Sequence, residues 1–335
     1  MKTVKPQTRI LTRGDLSPLL AARDYIEGVE YAFRQHGEGR SFGTAMIHGD
    51  TPGDVEFHIK AGGLLWNGKA YFALKANGSS FRNRELRGLP NILGAILLFD
   101  AESGYPLAIM DSSELTRQRT AAGTAVALKY LAPAGVQTLL LCGCGVQGRI
   151  HLKYLREVLR LERILAYDVQ PEAARAFARD MEKEFGLPVG AVTNLSEAAS
   201  QSRIIVTCTP SRVPFLRAVD VRPGTTVAAV GADSPTKQEI EAELLRGRKV
   251  VVDILRQCAV AGELHHALEE GLMTEADVHA EIGEIVAGKK TGRERTDETI
   301  IYDATGTAIQ DTAAAILVYE KAAARDIGLK IDLFA

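Results

Sequence analysis

The sequence has few of the residues that staple or anchor a chain by chemistry. Among 335 residues there are four cysteines, one tryptophan and 6% aromatics. Cys142, Cys144, Cys208 and Cys258 are too few and too scattered for a disulfide scaffold. Cys142 and Cys144 flank Gly143 at the end of an apolar run, with no second pair at metal-ligand spacing, so they read as buried or turn thiols. The seven histidines form no HExxH or C2H2 pattern; His265-His266 lies in a polar helical stretch and is expected to face solvent, and no structural metal is expected. Neither charge sign is in surplus: 40 Lys+Arg against 42 Asp+Glu leaves a net charge of −2. That balance gives no general pull toward nucleic acid or acidic lipid, and a small-molecule partner is expected. No apolar run approaches the roughly 20 residues of a membrane span. The start, MKTVKPQTRILTRGD, lacks the apolar stretch of a secretory signal. A cytoplasmic location follows by default.

What is present is an ordinary globular composition, 46% hydrophobic and 24% charged, in a chain long enough for two domains. Hydrophobic period divides it into regions. Residues 15–35 repeat at helical spacing. From 54 to 111 the runs DVEFHIKAG, KAYFALKAN, NILGAILLFD and YPLAIMD read as strands of an antiparallel, half-buried sheet. A helix is expected from about 112 to 131, opened by the D-x-x-E spacing of Asp111 and Glu114. From Val136 short β-branched runs (QTLLLCG, ERILAYD, GAVTN, RIIVTCT, TTVAAVG, KVVVDIL) alternate with helices near 147–159, 171–185, 195–201, 237–247 and 256–270. Alternation of that kind implies parallel βαβ units covered on both faces. A further helix over EADVHAEIGEIVAG, the run ETIIYDAT and a last helix from TAIQDTAAAILVYEKAAAR complete the chain.

Gly143, Gly145 and Gly148 spell GxGxxG, with Val146 and Gln147 between the last two. The motif follows a strand and opens a helix, where free N–H groups and partial positive charge suit a pyrophosphate. The next strand ends at Asp168, 20 residues beyond Gly148, where a carboxylate would accept the adenosine ribose hydroxyls. A carboxylate there repels a 2′-phosphate, and Val169 and Gln170 follow rather than arginine, so NAD(H) is the expected cofactor.

Several polar residues stand where packing does not call for them. Lys75 interrupts the apolar run YFALKANG, Arg119 lies early in the helix after the sheet, and Arg40 closes the EGR turn. Asp233 follows the strand TTVAAVG, at a carboxyl end of the parallel sheet. Arginines suit the two oxygens of an α-carboxylate, and a lysine with an aspartate can move protons at an amine or imine.

In succession, KANGSSFRN, LTRQRTAAGTA, CGCGVQG, TCTPS, VGADSPTKQE, VHAEIGEIVAGKK and YDATGTAIQD resemble the ornithine cyclodeaminase/mu-crystallin family, from about residue 15 to the C-terminus. The stretch from VHAEIGEIVAG through GTAIQDTAAAILVYEKA is similar to its alanine dehydrogenase branch. The resemblance implies an α/β fold: a Rossmann-type doubly wound parallel sheet, residues 120–305, inserted into a smaller α+β domain. That domain, residues 1–119 plus 306–335, would bind substrate and pair two copies into a homodimer. Carried over by position, Lys75 and Arg119 match substrate-carboxylate residues, and Asp233 matches the catalytic acid/base, with Lys75 beside it. Arg40 matches a further carboxylate-binding arginine. Thr209 and Ser211 would lie near the nicotinamide, and Glu56 matches the carboxylate with which cyclodeaminases hold a side-chain amine. Many members carry Met-Pro where this chain has Phe57-His58-Ile59-Lys60.

The activity this implies is NAD-dependent oxidoreduction at the α-carbon of a small L-amino acid. Ornithine cyclodeaminase, giving proline and ammonia, is the favoured form. Alanine dehydrogenase and a reductase of cyclic imines such as pyrroline-2-carboxylate are alternatives. A non-catalytic, mu-crystallin-like binding protein is a further one.

Overall fold

The computed structural model describes residues 7–51, 53, 55–80 and 82–335. Residues 1–6 of the expected substrate domain lie outside the described residues, as do Asp54 at the head of DVEFHIKAG and Phe81 in KANGSSFRN. By its internal contacts the chain parts into two units. One is the chain up to Thr120 together with Thr307–Ala335; the other is Ala121–Gly306.

The first unit begins with β1 (Thr8–Leu11), α1 (Arg13–Leu16) and α2 (Ala22–Gly37). The single helix expected over 15–35 is interrupted near Pro18. The chain re-enters a helix at Ala22, where the Asp24 carboxylate accepts the Ala21 N–H at 2.7 Å. Four long strands follow, β2 (Ser41–Asp50), β3 (Glu56–Trp66), β4 (Lys69–Ser79) and, after a short helix α3 (Asn83–Arg87), β5 (Ile92–Asp100). After β6 (Pro106–Asp111), Asp111 accepts the Glu114 N–H at 2.8 Å and starts α4 (Ser112–Leu131), as its spacing predicts.

The second unit runs β7 (Val136–Cys142), α5 (Val146–Val158), β8 (Arg160–Tyr167), α6 (Pro171–Phe185), β9 (Val189–Val192), α7 (Leu195–Gln201) and β10 (Ile204–Thr207). It continues with β11 (Thr226–Ala229), β12 (Lys249–Val252), α8 (Leu255–Ala261), α9 (Glu263–Glu269), β13 (Ala280–Glu281), α10 (Ile282–Val286) and β14 (Ile300–Asp303). The chain then returns to the first unit as α11 (Ala308–Ala324) and β15 (Leu329–Ile331).

Seven strands form the first unit's sheet, in the order β15-β1-β6-β5-β4-β3-β2. Its pairs are antiparallel except β1 with β6, which is parallel. The short flanking strands β1 and β15, and β2, were not expected from the sequence. The second unit's eight strands are all parallel, ordered β13-β12-β14-β11-β10-β7-β8-β9. Leu140, Ile205, Val227, Ile301 and Val250 align in register across five of them, and all five are fully buried. Strand order reverses between β7 and β10, the switch point at which doubly wound sheets bind their ligands.

Four expectations fail in this unit. No helix forms over 237–247: Ile240 bridges Leu216 in parallel, the Glu239 carbonyl accepts the Phe215 and Leu216 N–H groups, and only a 3₁₀ turn follows at Ala242–Leu244. The helix expected over EADVHAEIGEIVAG resolves into a 3₁₀ turn, strand β13 and the short α10, because β12 recruits Ala280 and Glu281 as an edge strand. The helix over 256–270 is split at Gly262, where a Cβ would lie 2.4 Å from the Asp303 carboxylate. His265 and His266 are half-buried rather than solvent-facing, since His266 Nε2 lies 2.9 Å from the Lys237 carbonyl.

Candidate active site

The polar cluster of the first unit is built on one face of its sheet. Side chains alternate along β4, so Lys75, Asn77 and Ser79 share the buried face that Tyr71 and Ala73 also occupy. Lys75 is 2% exposed and Arg119, projecting from α4, is 4% exposed. Both meet Asp311 of α11: Lys75 Nζ lies 2.8 Å from Oδ2, and Arg119 Nε donates to Oδ1 at 2.7 Å. Burial pushes the Asp311 carboxyl up, but the charges of Arg119 and Lys75 outweigh it and hold it below the usual carboxylate range. For Lys75 burial wins: with help from the Arg119 and Lys60 charges it brings the ammonium down to about 7, against the pull of Asp311. The group can therefore gain or lose a proton near neutrality. Beside it, Asn77 accepts a hydrogen bond from the Ser112 hydroxyl, which fixes the amide.

The sequence reading missed Asp311. Its signal was visible, an acid inside the apolar helical run TAIQDTAAAIL, where a carboxylate persists only if cations meet it. Arg40 does not join this group. Its side chain is more than half exposed and bonds Glu38 at 3.0 Å. Its carbonyl accepts the Leu65 N–H, five residues along β3 from Lys60, or about 16 Å at the rise of a strand. The physical reason is the direction of β2, which leaves α2 at the far end of β3. Glu56 stands four residues from Lys60 toward the other end of β3, paired with Ser79 and 3.6 Å from His58 Nε2. That places it two rows along the sheet from Lys75. His58 and Lys60, in the stretch that departs from Met-Pro, lie on the buried face, whereas Phe57 is exposed on the other.

In the second unit the glycine motif lies at the switch point. Gly143 has φ +105°, and a Cβ there would come within 2.8 Å of the Cys208 carbonyl oxygen. At Gly148 a Cβ would lie 2.1 Å from the Gly143 carbonyl oxygen, so the helix can approach the strand only without a side chain. A Cβ on Gly145, by contrast, would meet nothing within 4 Å, and no side chain caps α5. Open space above uncapped N–H groups is what a pyrophosphate needs, with Val146 and Gln147 on the first turn. Asp168 follows β8 and accepts the N–H groups of Cys144 and Gln170, each at 2.9 Å. It thereby holds the glycine loop, and its carboxylate has further lone pairs for ribose hydroxyls. These residues fit a dinucleotide.

Thr209 and Ser211 follow β10. The Thr209 hydroxyl and N–H both donate to Glu239, and Ser211 donates to the Val213 carbonyl. Glu239, fully buried and also missed in the sequence, accepts the Gly231 N–H and the Thr207 hydroxyl as well, and so ties the ends of β10 and β11 together. Asp233 projects from the loop after β11, about a third exposed, with Lys237 Nζ 2.6 Å from Oδ1. Among the described residues no group of three or more metal-ligating side chains occurs, and no helix is long and apolar enough to cross a membrane.

The parallel sheet, its switch point and the glycine loop define a Rossmann-type dinucleotide-binding unit. The chain belongs to the ornithine cyclodeaminase/mu-crystallin family, whose model matches residues 7–326. It is 37% identical over 331 residues to the alanine dehydrogenase of Archaeoglobus fulgidus, covering 98% of this chain and 99% of that one. Among solved structures it is similar to an archaeal alanine dehydrogenase dimer with bound NAD, with TM-score 0.92, 36% identity, and 98% and 100% of the two chains covered. It is also similar to the Δ1-pyrroline-2-carboxylate reductase of Thermococcus litoralis in complex with NADH and L-proline, with TM-score 0.90, 32% identity, and 96% and 99% covered.

Proposed function

We propose that the protein is an NAD(H)-dependent oxidoreductase that interconverts an L-α-amino acid and its imine. The buried Lys75–Asp311–Arg119 group carries this reading. Two cations held by one carboxylate keep a net positive charge, which a substrate carboxylate neutralises. Arg119 orients that carboxylate through its planar fork, and Lys75 completes the grip in its charged form. The glycine loop would hold NAD(H), which would supply hydride chemistry at the α-carbon. Asp233, exposed enough to exchange protons with water, moves the proton at nitrogen, and the contact with Lys237 Nζ at 2.6 Å orients its carboxylate. Gly143, Gly145 and Gly148 let the backbone approach the pyrophosphate, and Asp168 selects NAD(H) over NADP(H).

Of the three outcomes this chemistry allows, the amino-acid dehydrogenase or imine reductase is favoured over the cyclodeaminase that the sequence put first. A diamino acid would lay a second ammonium near the buried Lys60 rather than against Glu56, two rows of the sheet away. Assembly as a homodimer is part of the proposal, supported by the outer face of the first unit's sheet, where Phe42, Ile47 and Phe57 are exposed. A cytoplasmic setting, in which its cysteines stay reduced, completes it. The test is incubation with NAD and single amino acids while NADH and ammonia are both followed. Both together are expected. Ammonia alone would identify a cyclodeaminase. Neither product, with no NADH oxidation on cyclic imines or on oxo acids plus ammonium, would reduce the protein to a binding function.

A further inference from the structure

The hydrogen-bond ladder between β10 and β11 runs to the Val230 N–H, which donates to the Thr207 carbonyl at 2.9 Å. Past that rung the two segments are joined by a side chain. The Glu239 carboxylate is fully buried and accepts one N–H and one hydroxyl on each of its oxygens. Oε1 takes the Thr209 N–H at 2.6 Å and the Thr209 hydroxyl at 2.8 Å. Oε2 takes the Gly231 N–H at 2.8 Å and the Thr207 hydroxyl at 2.7 Å. The segments also touch: a Cβ on Gly231 would lie 2.2 Å from the Thr209 carbonyl oxygen and 2.6 Å from the Glu239 carboxyl carbon. Glu239 is itself anchored, since its N–H donates to Glu263 at 2.8 Å and its carbonyl accepts the Phe215 and Leu216 N–H groups.

The bond from Gly231 to Glu239 closes the loop 231–239 at its base, and Asp233 stands on that loop with Lys237 Nζ 2.6 Å from its Oδ1. An ion pair within one loop orients the carboxylate there without fixing where the loop itself stands. The base does that. An apolar side chain would fill the place of Glu239 at a lower desolvation cost, but only a carboxyl group can accept from both loops at once. We propose that Glu239 is a positioning residue for proton transfer, which fixes the Asp233 loop against Thr209 and so sets where the Asp233 carboxylate meets the substrate nitrogen. The inference rests on the reading of Asp233 as the group that moves that proton. Asp168, at the end of β8, lies on one side of the switch point, which leaves the β10–β11 side, with Thr209 and Asp233, for the nicotinamide half of the cofactor. Glu239 acts there through the backbone of Gly231 and Thr209.

The test is a double-mutant cycle of Glu239→Gln and Asp233→Asn. Glutamine keeps the shape, but its NH₂ cannot accept, so either Thr209 or Gly231 must give up its N–H bond. With Asp233 present, Glu239→Gln should lower kcat by about 10²-fold, as a misplaced group does, with KM and NAD(H) affinity held within about threefold. With Asp233→Asn already in place, the same change should cost less than about threefold, because the group it misplaces is gone. Thr207→Val removes one hydroxyl and spares both N–H bonds, so it should lower the melting point and keep turnover within about threefold. Amide hydrogen exchange needs no substrate: Glu239→Gln should speed it across 231–239 and leave 143–148 unchanged. Glu239→Asp, which withdraws both oxygens by one methylene, replaces the glutamine variant if that one does not fold, and should show the same coupling. Equal losses in the two backgrounds, or faster exchange with undiminished kcat, would overturn the inference. An active Asp233→Asn enzyme would refute the reading of Asp233, and the inference with it. Absence of turnover on every amino acid, imine and oxo acid would refute the proposed function instead, and unchanged exchange in Glu239→Gln would even then overturn the role given to Glu239.

Discussion

Replacing Asp311 by asparagine should disable the substrate group while leaving its shape almost unchanged. The carboxylate accepts Arg119 Nε at 2.7 Å and meets Lys75 Nζ at 2.8 Å, with all three side chains at most 5% exposed. Asparagine has one acceptor and one NH₂ in place of two oxygens, so one of the cations would face a donor. Removing one partner of a buried ion pair costs about 3–5 kcal/mol, because an uncompensated charge is left in a dry site. For domains of 150–250 residues a loss of 1 kcal/mol lowers Tm by about 2–4 °C, so the melting point should fall by roughly 6–20 °C. A second readout separates function from mere stability. Lys75 already sits at about 7, because burial and then the Arg119 charge outweigh the pull of Asp311. Without that pull its ammonium falls further, and Lys75 is neutral at pH 7.5. The alkaline limb of kcat/KM for the amino or oxo acid, expected just above neutrality in wild type, should move to lower pH, and KM at pH 7.5 should rise. Cofactor affinity should hold, since no glycine-loop residue is touched. Melting within 2 °C of wild type, together with an unshifted alkaline limb, would refute the reasoning.

Asp233→Asn should lower turnover by about 10²–10⁴-fold with near-normal melting and NAD affinity, since an amide cannot exchange protons; retention of more than a tenth of the activity would remove Asp233 from the mechanism. Asp168→Ser should narrow the preference for NAD(H) over NADP(H), measured by titrating both cofactors, and wild-type preference for NADP(H) would sink the assignment. His151 is fully buried, with Nδ1 2.9 Å from the Gln147 carbonyl and Nε2 3.0 Å from the Thr124 hydroxyl, and burial lowers its pKa to about 4. Between that value and the unfolded 6.5 the unfolded chain binds the extra proton, so stability should drop by about 2–4 kcal/mol as pH falls through this window. His151→Gln should flatten that part of the denaturation curve, and an unchanged slope would contradict the assignment.

The parts of this protein that were legible in the sequence are those whose signals are local. GxGxxG, the strand before it and Asp168 twenty residues on lie within one βαβ unit, and the structure places them together. The strands β3 to β6 were readable because one face of each is apolar. The helix over 237–247 was misread because the backbone groups of Glu239 and Ile240 are taken up by Phe215 and Leu216 and by the Glu263 carboxylate, none of them local in sequence. Strands β1 and β15 are too short to show a period and exist because β1 pairs with the distant β6 and in turn recruits β15 as the edge. At the substrate group, Lys75 and Arg119 stood out as charges in apolar surroundings. Their partner did not, for its role depends on a contact that no spacing encodes. Lys60 looked like one polar residue among several until strand register placed it opposite Lys75. Arg40 misled because a charged residue at a turn looks the same whichever way the next strand runs.

The wide separation of Arg119 from its counter-ion also bears on how the chain is made. Asp311 follows Arg119 by 192 residues, and the unit that both belong to is interrupted by the whole parallel sheet. On the ribosome, Lys60, Lys75 and Arg119 emerge long before α11, which brings both their compensating charge and the apolar surface that covers β3 and β4. The Rossmann-type unit, continuous in sequence, can fold while the first unit waits for its last helix. Chains released before Thr307 should therefore hold a folded nucleotide unit joined to an open sheet in which Lys75 and Arg119 still lack the Asp311 carboxylate, a species suited to capture by chaperones. In the complete chain, α11 closes the first unit last, and its arrival assembles the substrate group in the same step.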